Sequence, residues 1–226
     1  MSDTISVLGG TGALGRGLAA RLSRAGYPVV LGSRDPGRAR AAAAEIAELA
    51  GPGATVDGAS NEEASAAAEV VLLATPWDES GESVAALADA LAGRLVVSCI
   101  NPLGFDAQGP FGIPVAAGSA AEQVAGLLPG STVAAAFHHL SAPSLLRLDR
   151  DLSGEDVLVC SDDDAARSRV AELAGAVTGR RGVEVGALRQ ARQLEPFTAV
   201  LIAVNKRYKT RAGVLLSHVD VDKVGA

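Results

Sequence analysis

A glycine-rich turn near the start of the chain constrains the fold more than any other stretch. Gly10, Gly12 and Gly15 form G-x-G-x-x-G between an apolar run at residues 5–8 and a predicted helix at residues 14–25. Glycines at this spacing permit a tight turn and let a pyrophosphate approach the helix N-terminus. The pattern alone is weak in a chain with 26 glycines. Its place between strand and helix favours dinucleotide binding over a turn that serves packing only.

The end of the second predicted strand, residues 28–32, indicates which dinucleotide is bound. Sites that prefer NAD usually have an Asp or Glu there, which holds the ribose 2′-hydroxyl. This chain has Ser33 and Arg34, followed by Arg38. A hydroxyl and guanidinium groups bind a 2′-phosphate, whereas a carboxylate repels it. We therefore expect NADP, and the alternative is that both arginines are solvated loop charges. Asp35 is expected to cap the next helix.

Strand-like and helix-like segments alternate along the whole chain. The run at residues 70–74 is entirely apolar, which is typical of a parallel strand buried on both faces. Further strands are predicted at residues 54–58, 95–100, 132–137, 157–160 and 183–185. Helices are predicted at residues 36–49, 62–68 (with Asn61 as cap), 79–92, 120–128 (with a Ser119–Glu122 capping box), 165–177 and 188–209.

This alternation predicts an α/β fold of the Rossmann type, a mostly parallel sheet with helices on both faces, plus a small C-terminal α/β portion. We expect an NADP-binding domain at residues 1–142 and a smaller domain at residues 143–217. Residues 218–226 are expected to form a disordered tail.

Ligands of open α/β sheets lie beyond the carboxyl ends of the strands. Thr75, Pro76 and Trp77 follow one such strand, and Trp77 either contacts the cofactor or anchors the strand end by packing. The loop at residues 101–114 follows another strand, and loops of this length are usually functional.

Metal and disulfide chemistry is not expected. His138 and His139 are adjacent, and neighbours in an extended segment point to opposite sides. The run Asp162-Asp163-Asp164 is expected to cap a helix and complement its dipole rather than to bind a metal. Cys99 and Cys160 are expected to be buried thiols.

The composition excludes several other classes of partner. The 226-residue chain has 48% hydrophobic and 20% charged residues and a net charge of −6, so a nucleic-acid surface is not implied. The chain shows neither a signal peptide nor an apolar run of membrane-spanning length, which favours a cytoplasmic protein without membrane contact.

Several motifs occur together and in chain order. They are Gly9-Gly10-Thr11-Gly12-x-Leu14-Gly15, Gly32-Ser33-Arg34, Thr75-Pro76-Trp77, Gly118-Ser119-Ala120-Ala121-Glu122, His138, and Asn205-x-Arg207-Tyr208-x-x-x-Ala212-Gly213-Val214. Over roughly residues 4–217, the chain resembles the NADPH-dependent coenzyme F420 reductase family.

The resemblance implies hydride transfer between NADP(H) and the deazaflavin F420, by a homodimer. It implies an NADP site at Thr11, Gly12, Ala13, Leu14, Ser33, Arg34 and Arg38, and near Trp77, Pro102, Leu103 and Ala142. It also implies a deazaflavin pocket near His138 and around Gly213 and Val214. One departure is His139, where the family is expected to have Asn or Thr. Such chemistry needs no catalytic side chain, because the protein positions two rings and excludes water.

Two other functions remain open on the sequence. One is an NADP-dependent reductase of an imine, a ketone or ferric iron, and it requires a proton donor such as His138 or Tyr208. The other is a non-enzymatic NADP-binding redox sensor. A basic cluster, Lys206, Arg207, Lys209 and Arg211, either complements a helix C-terminus or receives the anionic tail of a ligand.

Overall fold

The computed structural model describes residues 3–221 and residue 223. Ten strands are present in this part of the chain. They are β1 (Ile5–Leu8), β2 (Val29–Ser33), β3 (Val56–Ser60), β4 (Val70–Leu73), β5 (Leu95–Ser98), β6 (Leu103–Asp106), β7 (Gly109–Gly112), β8 (Thr132–Ala135), β9 (Leu158–Ser161) and β10 (Val183–Gly186).

Eight of these strands form one sheet in the order β10-β9-β8-β5-β4-β1-β2-β3. All neighbouring pairs are parallel except β8 and β9, which are antiparallel. The strand order reverses at β1, whose chain neighbour β2 lies on one side and β4 on the other. This reversal opens a crevice at the carboxyl ends of β1 and β4, where doubly wound sheets bind dinucleotides. The predicted Rossmann-type fold is confirmed.

Nine α-helices and one short 3-10 turn surround the sheet in the described residues. They are α1 (Ala13–Arg24), α2 (Pro36–Ala50), α3 (Asn61–Ala66), α4 (Glu82–Ala85), α5 (Ala88–Leu91), α6 (Ala120–Leu127), α7 (Ala142–Leu145), α8 (Asp164–Thr178), the 3-10 turn Leu188–Gln190, and α9 (Ala191–Tyr208). One buried cluster packs α1, α2, α7 and α8 on one face of the sheet. A second packs the four helices from α3 through α6, and the start of α9, on the other face.

The helix ends explain where several boundaries fall. Asp35 accepts hydrogen bonds from the backbone N–H groups of Gly37 and Arg38, and Asp163 accepts one from Ala166, so both predicted aspartate caps are confirmed. The prediction that Asn61 caps α3 is wrong, because the N-cap lies one residue earlier. Ser60 caps α3 in a capping box with Glu63, because β3 continues to Ser60.

Two further local predictions were wrong. Residues 79–92 form two short helices rather than one, because left-handed Gly81 starts α4 and the chain turns at Leu87 before α5. The predicted loop at residues 101–114 contains an antiparallel hairpin, β6–β7. Its turn forms because Asp106 accepts hydrogen bonds from the N–H groups of Gln108 and Gly109.

The C-terminal portion continues the same sheet. Val159 and Val170 belong to the same buried cluster as Ile5 and Leu18. The predicted boundary at residue 142 therefore lies between two strands of one continuous sheet, and the division into two domains remains a prediction. Of the predicted tail, residues 222 and 224–226 lie outside the described part, and Arg180 donates a hydrogen bond to the carbonyl of Val219.

Candidate active site

The turn between β1 and α1 presents free backbone N–H groups. Gly9 has a φ of 75°, and its carbonyl accepts the N–H of Gly12 at 2.9 Å. Gly12 is the N-cap of α1, and no side chain caps this helix in the described structure. The first N–H groups and the positive end of the helix dipole therefore suit an anion.

The three glycines of the motif differ in what surrounds them. A Cβ at Gly10 would lie 2.8 Å from the carbonyl oxygen of Val7, and one at Gly15 would lie 2.6 Å from that of Gly9. Packing alone therefore requires glycine at both positions. A Cβ at Gly12 would meet only the Gly9 carbonyl, at 3.2 Å. Packing within the protein therefore restricts the residue at position 12 least, which is expected where a ligand approaches from outside.

Two unpaired cations follow β2: Arg34 comes directly after the strand, and Arg38 lies in the first turn of α2. Gly32 lies opposite Leu8 in the parallel register, so the end of β2 lies next to the start of the glycine turn. The side chains of Arg34 and Arg38 are exposed, and they make no hydrogen bond or ion pair with the other described residues. Ser33 accepts a hydrogen bond from the N–H of Asp35. Two free guanidinium groups at this strand end fit a 2′-phosphate.

The end of β4 packs directly on the glycine turn. A Cβ at Gly9 would lie 2.6 Å from the carbonyl oxygen of Ala74 and 2.9 Å from the N–H nitrogen of Thr75. Trp77 is partly buried and donates its indole N–H to the Gln123 side chain of α6 at 3.0 Å. The packing role of Trp77 is therefore present, and its cofactor contact remains a prediction.

The ends of β5 and β8 are tied together. Asn101 donates its side-chain amide to the carbonyl of His138 at 2.9 Å. The hydroxyl of Thr198 in α9 lies 3.2 Å from that carbonyl oxygen and 3.3 Å from the Asn101 side-chain oxygen. Phe137, immediately before, is buried with a φ of 66°. Two side chains from other elements thus hold the His138 carbonyl.

The His138 side chain is buried without a hydrogen-bond partner. It is 2% exposed, and neither ring nitrogen has a partner in the described structure. Burial, with a smaller effect of His139, lowers the pKa of His138 to about 3, so the ring is neutral at physiological pH. Buried polar groups are rarely left unpaired. A ligand with hydrogen-bonding ring atoms, such as a deazaflavin, fits this position.

His139 is bound within the protein. Its Nε2 donates to the carbonyl of Asp156 at 2.7 Å, and burial lowers its pKa. The N–H of Asp156 in turn donates to the carbonyl of Val214 at 2.7 Å, and its carboxylate accepts the N–H of Leu216. Gly213 lies against Glu155, where a Cβ would be 2.4 Å from the Glu155 Cγ. The predicted residues Gly213 and Val214 are therefore linked to the histidine loop through Asp156.

The remaining predicted contacts lie on neighbouring elements. Pro102 is buried and its carbonyl accepts the N–H of Ile113, while Leu103 starts β6. Ala142 starts α7, which packs on α1 so closely that a Cβ at Gly17 would lie 2.5 Å from the Cβ of Leu145. None of these contacts tests cofactor binding, so these residues remain predictions.

Sequence reasoning missed residues that shape the site from a distance. Thr198 and Glu195 lie within a helix, and Asp156 lies in a loop, where residue type gives no signal. Arg21 donates to the carbonyls of Ser144, Leu145, Arg147 and Arg150, and so holds the segment that follows Ala142.

Across the described residues, no group of three or more His, Cys, Asp or Glu side chains suits a metal, and no helix could cross a bilayer.

The strand order, the glycine turn and the free arginines together define a dinucleotide-binding protein of the Rossmann class. A family model described as NADP oxidoreductase, coenzyme F420-dependent, matches residues 4–102. The chain is 38% identical over 220 residues to the F420-dependent NADP reductase of Methanothermobacter thermautotrophicus, covering 95% of this chain and 94% of that one. The chain belongs to the F420-dependent NADP reductase family.

Two further comparisons agree over nearly the full length. The F420-dependent NADP reductase of Methanocaldococcus jannaschii is 33% identical over 224 residues, covering 96% of this chain and 99% of that one. A solved structure from Arthrobacter sp. FB24, with a suggested F420-dependent NADP reductase activity, superposes with a TM-score of 0.78 at 29% identity. It covers 96% of this chain and 100% of that chain.

Proposed function

We propose that this protein transfers a hydride between NADP(H) and the deazaflavin coenzyme F420. The observation that carries the proposal is the match to F420-dependent NADP reductases over at least 94% of each chain. The geometry supports it, because a dinucleotide turn and an unpaired buried histidine lie at the same edge of one sheet.

The first half of the chain is proposed to hold NADP(H). The N–H groups of Thr11, Gly12 and Ala13 would bind the pyrophosphate, and Arg34 and Arg38 would bind the 2′-phosphate. Support comes from the uncapped start of α1 and from the two unpaired guanidinium groups.

The second cofactor is proposed to lie against His138, with Gly213 and Val214 forming part of its pocket. When bound, NADPH supplies a hydride to the deazaflavin ring, and a proton from solvent completes the two-electron reduction. His138 would act as a neutral hydrogen-bonding group, because burial keeps its pKa far below physiological pH. Asn101 and Thr198 would hold its backbone, so that the two rings keep a fixed relation.

An absorbance assay tests this function. Purified protein mixed with NADPH and F420 should bleach the F420 absorbance, and NADH should support a much lower rate. Oxidation of NADPH with an imine, ketone or ferric iron, and none with F420, would favour another reductase. Tight binding of one nicotinamide form without turnover of any of these substrates would favour a redox sensor.

We also propose that the protein acts as a homodimer in the cytoplasm. Hairpin β6–β7 packs on α9, since a Cβ at Gly112 would lie 2.5 Å from Pro196. The hairpin exposes Phe105 (69%) and Phe111, and α9 exposes Phe197 and Val200 (52%). Light scattering should give a dimer that Phe105→Asp with Val200→Asp dissociates. Leu49→Asp, at an exposed leucine on α2, should leave the dimer intact.

A further inference from the structure

The start of α9 is attached to the start of α6 by a buried carboxylate. Glu195 is only 2% exposed. Its two carboxylate oxygens accept the backbone N–H groups of Ala120 at 2.8 Å and Ala121 at 3.0 Å. A charged side chain is rarely buried unless its hydrogen bonds are this complete.

These two bonds satisfy N–H groups at the N-terminus of α6. The first four N–H groups of a helix have no partner within the helix. The Ser119 hydroxyl accepts the N–H of Glu122, and the Gln123 N–H makes the first intrahelical bond, to the Ser119 carbonyl. The predicted reciprocal bond from Glu122 to the cap backbone is not formed, because Glu122 instead binds Arg192 and the Ser119 hydroxyl. Glu195, from a separate helix, therefore supplies the acceptors for the N–H groups of the first two residues of α6.

One turn further along α9, Thr198 contacts the carbonyl of His138 and the Asn101 side chain. Residues three apart lie on the same side of a helix, so Glu195 and Thr198 fix neighbouring parts of one face. We propose that Glu195 is a positioning residue that holds α9 against α6 and thereby sets the backbone at His138. This role rests on the proposed hydride-transfer function, and its structural part can be tested separately.

The ionisation of Glu195 makes this attachment sensitive to pH. Burial raises the pKa of Glu195 to about 7, although the two N–H groups act in the opposite direction. The charged or titratable groups facing it are Glu122 of α6, Arg192 of α9, which is paired with Glu122, and Cys160 of β9, which stays neutral because burial raises its pKa to about 12. Below pH 7 the protonated carboxyl keeps one good acceptor oxygen, so one N–H of α6 loses its partner.

Trp77 reports on this attachment without any cofactor. It is the single tryptophan of the chain, and it is bound to Gln123, two residues after Ala121. We expect the fluorescence of the wild type to change with a midpoint near pH 7, and Glu195→Gln to abolish the change. Glu122→Gln should keep the change and move its midpoint to lower pH, because the Glu122 charge raises the pKa of Glu195. A wild type without the transition, or an unchanged transition in Glu195→Gln, would overturn the proposal.

Kinetics test the effect on the site. At pH 8, Glu195→Gln should raise the KM for F420 several-fold and leave the KM for NADPH within a factor of two. Thr198→Val, which keeps the carboxylate, should reproduce the KM effect and retain the Trp77 transition, even if Glu195→Gln folds poorly. Equal KM values for F420 in wild type and Thr198→Val would contradict the positioning role. Absence of F420 turnover in the wild type would instead reject the proposed function, while the Trp77 titration would still decide whether Glu195 controls the attachment.

Discussion

Gly15 lies directly beneath the carbonyl of Gly9, so that a Cβ at residue 15 would be 2.6 Å from the Gly9 oxygen. Gly15→Ala must therefore displace the turn that presents the N–H groups of α1. We expect a loss of about 1–3 kcal/mol in the free energy of unfolding and much weaker NADPH binding. Urea denaturation and a fluorescence titration with NADPH would measure the two effects.

Gly126 provides the matched control for this substitution. It lies in α6, and a Cβ there would meet nothing within 4 Å. Gly126→Ala should leave NADPH affinity unchanged and raise stability by up to about 1 kcal/mol, because alanine favours the helix. Equal behaviour of the two variants would refute the close packing of the turn.

Arg34→Glu should separate NADPH from NADH. The substitution replaces an unpaired cation at the end of β2 with a carboxylate, which would repel a 2′-phosphate. Because a charge-assisted hydrogen bond contributes roughly 1.5–3 kcal/mol, the affinity for NADPH should fall about 10- to 100-fold. The affinity for NADH should stay the same or rise. Arg40→Glu is the control, because Arg40 is also an exposed arginine in this region but points to a different side of α2 from the predicted site residue Arg38. An equal loss of NADPH affinity in Arg40→Glu would indicate only a general effect of charge.

His138→Leu should change how stability depends on pH. The folded pKa of His138 is lowered from 6.5 to about 3, so the unfolded chain binds its proton more readily. The free energy that the buried, neutral His138 contributes to folding is therefore fully present above about pH 6.5. It is lost as the pH falls towards 3, by about 5 kcal/mol at most. The variant should lose less stability between pH 7 and pH 4, and should bind F420 more weakly. The exposed His218→Gln should keep the wild-type profile; the same profile in His138→Leu would contradict the buried, neutral state.

Asp156→Ala should release the segment that contains Val214 and Leu216. The carboxylate is buried, accepts the Leu216 N–H at 2.7 Å and pairs with Arg180 at 2.8 Å. Removing one partner of a buried ion pair is strongly destabilising, and because Arg180 is partly exposed we expect a loss of about 3 kcal/mol. Hydrogen exchange at Leu216 should accelerate. Asp220→Ala, at an exposed aspartate nearby, should have a small effect on the Leu216 amide.

The basic cluster at the end of α9 gives a prediction that depends on the proposed function. Lys206, Arg207 and Lys209 are exposed and have no ion pair with other described residues, whereas most arginines of α8 and the loops are paired. Lys206→Glu with Arg207→Glu should raise the KM for F420 several-fold, with a smaller effect at high salt. The KM for a deazaflavin substrate without an anionic tail should not change. A uniform change for both substrates would favour the alternative, that these charges only complement the helix C-terminus.

The sequence predicted the parts of this protein that local patterns determine. The apolar run that became β4, the glycine turn and the Asp35 cap depend on residue type and spacing, so they could be recognised directly. The hairpin β6–β7 was missed because its glycine- and proline-rich sequence, Gly109-Pro110-Phe111-Gly112, is typical of a loop. Besides the local turn at Asp106, the hairpin has β7 packed on Pro196 of α9, a contact between residues distant in the sequence.

The candidate site likewise contains residues that the local sequence predicts and residues that only the folded chain brings together. Arg34 was identified because it follows the end of β2, where such folds bind the ribose, whereas His138 came from the family resemblance and is buried in the structure. Glu195 and Thr198 act through hydrogen bonds to backbone groups more than 50 residues away, and nothing in their local sequence indicates a partner. The Ser119 cap was predicted, but the second partner of its helix could be seen only in the folded chain.

Phe137 adopts a left-handed backbone that costs a bulky residue of the order of 1–3 kcal/mol, and His138 after it buries two unpaired nitrogens. A redesign guided by stability alone would first replace these two residues, with glycine and an apolar side chain. Such a protein should melt at a higher temperature and lose the buried histidine that we propose to contact the second substrate. Thermostable variants of this enzyme should therefore be sought in α2, α8 and the surface loops, with residues 137 and 138 kept fixed.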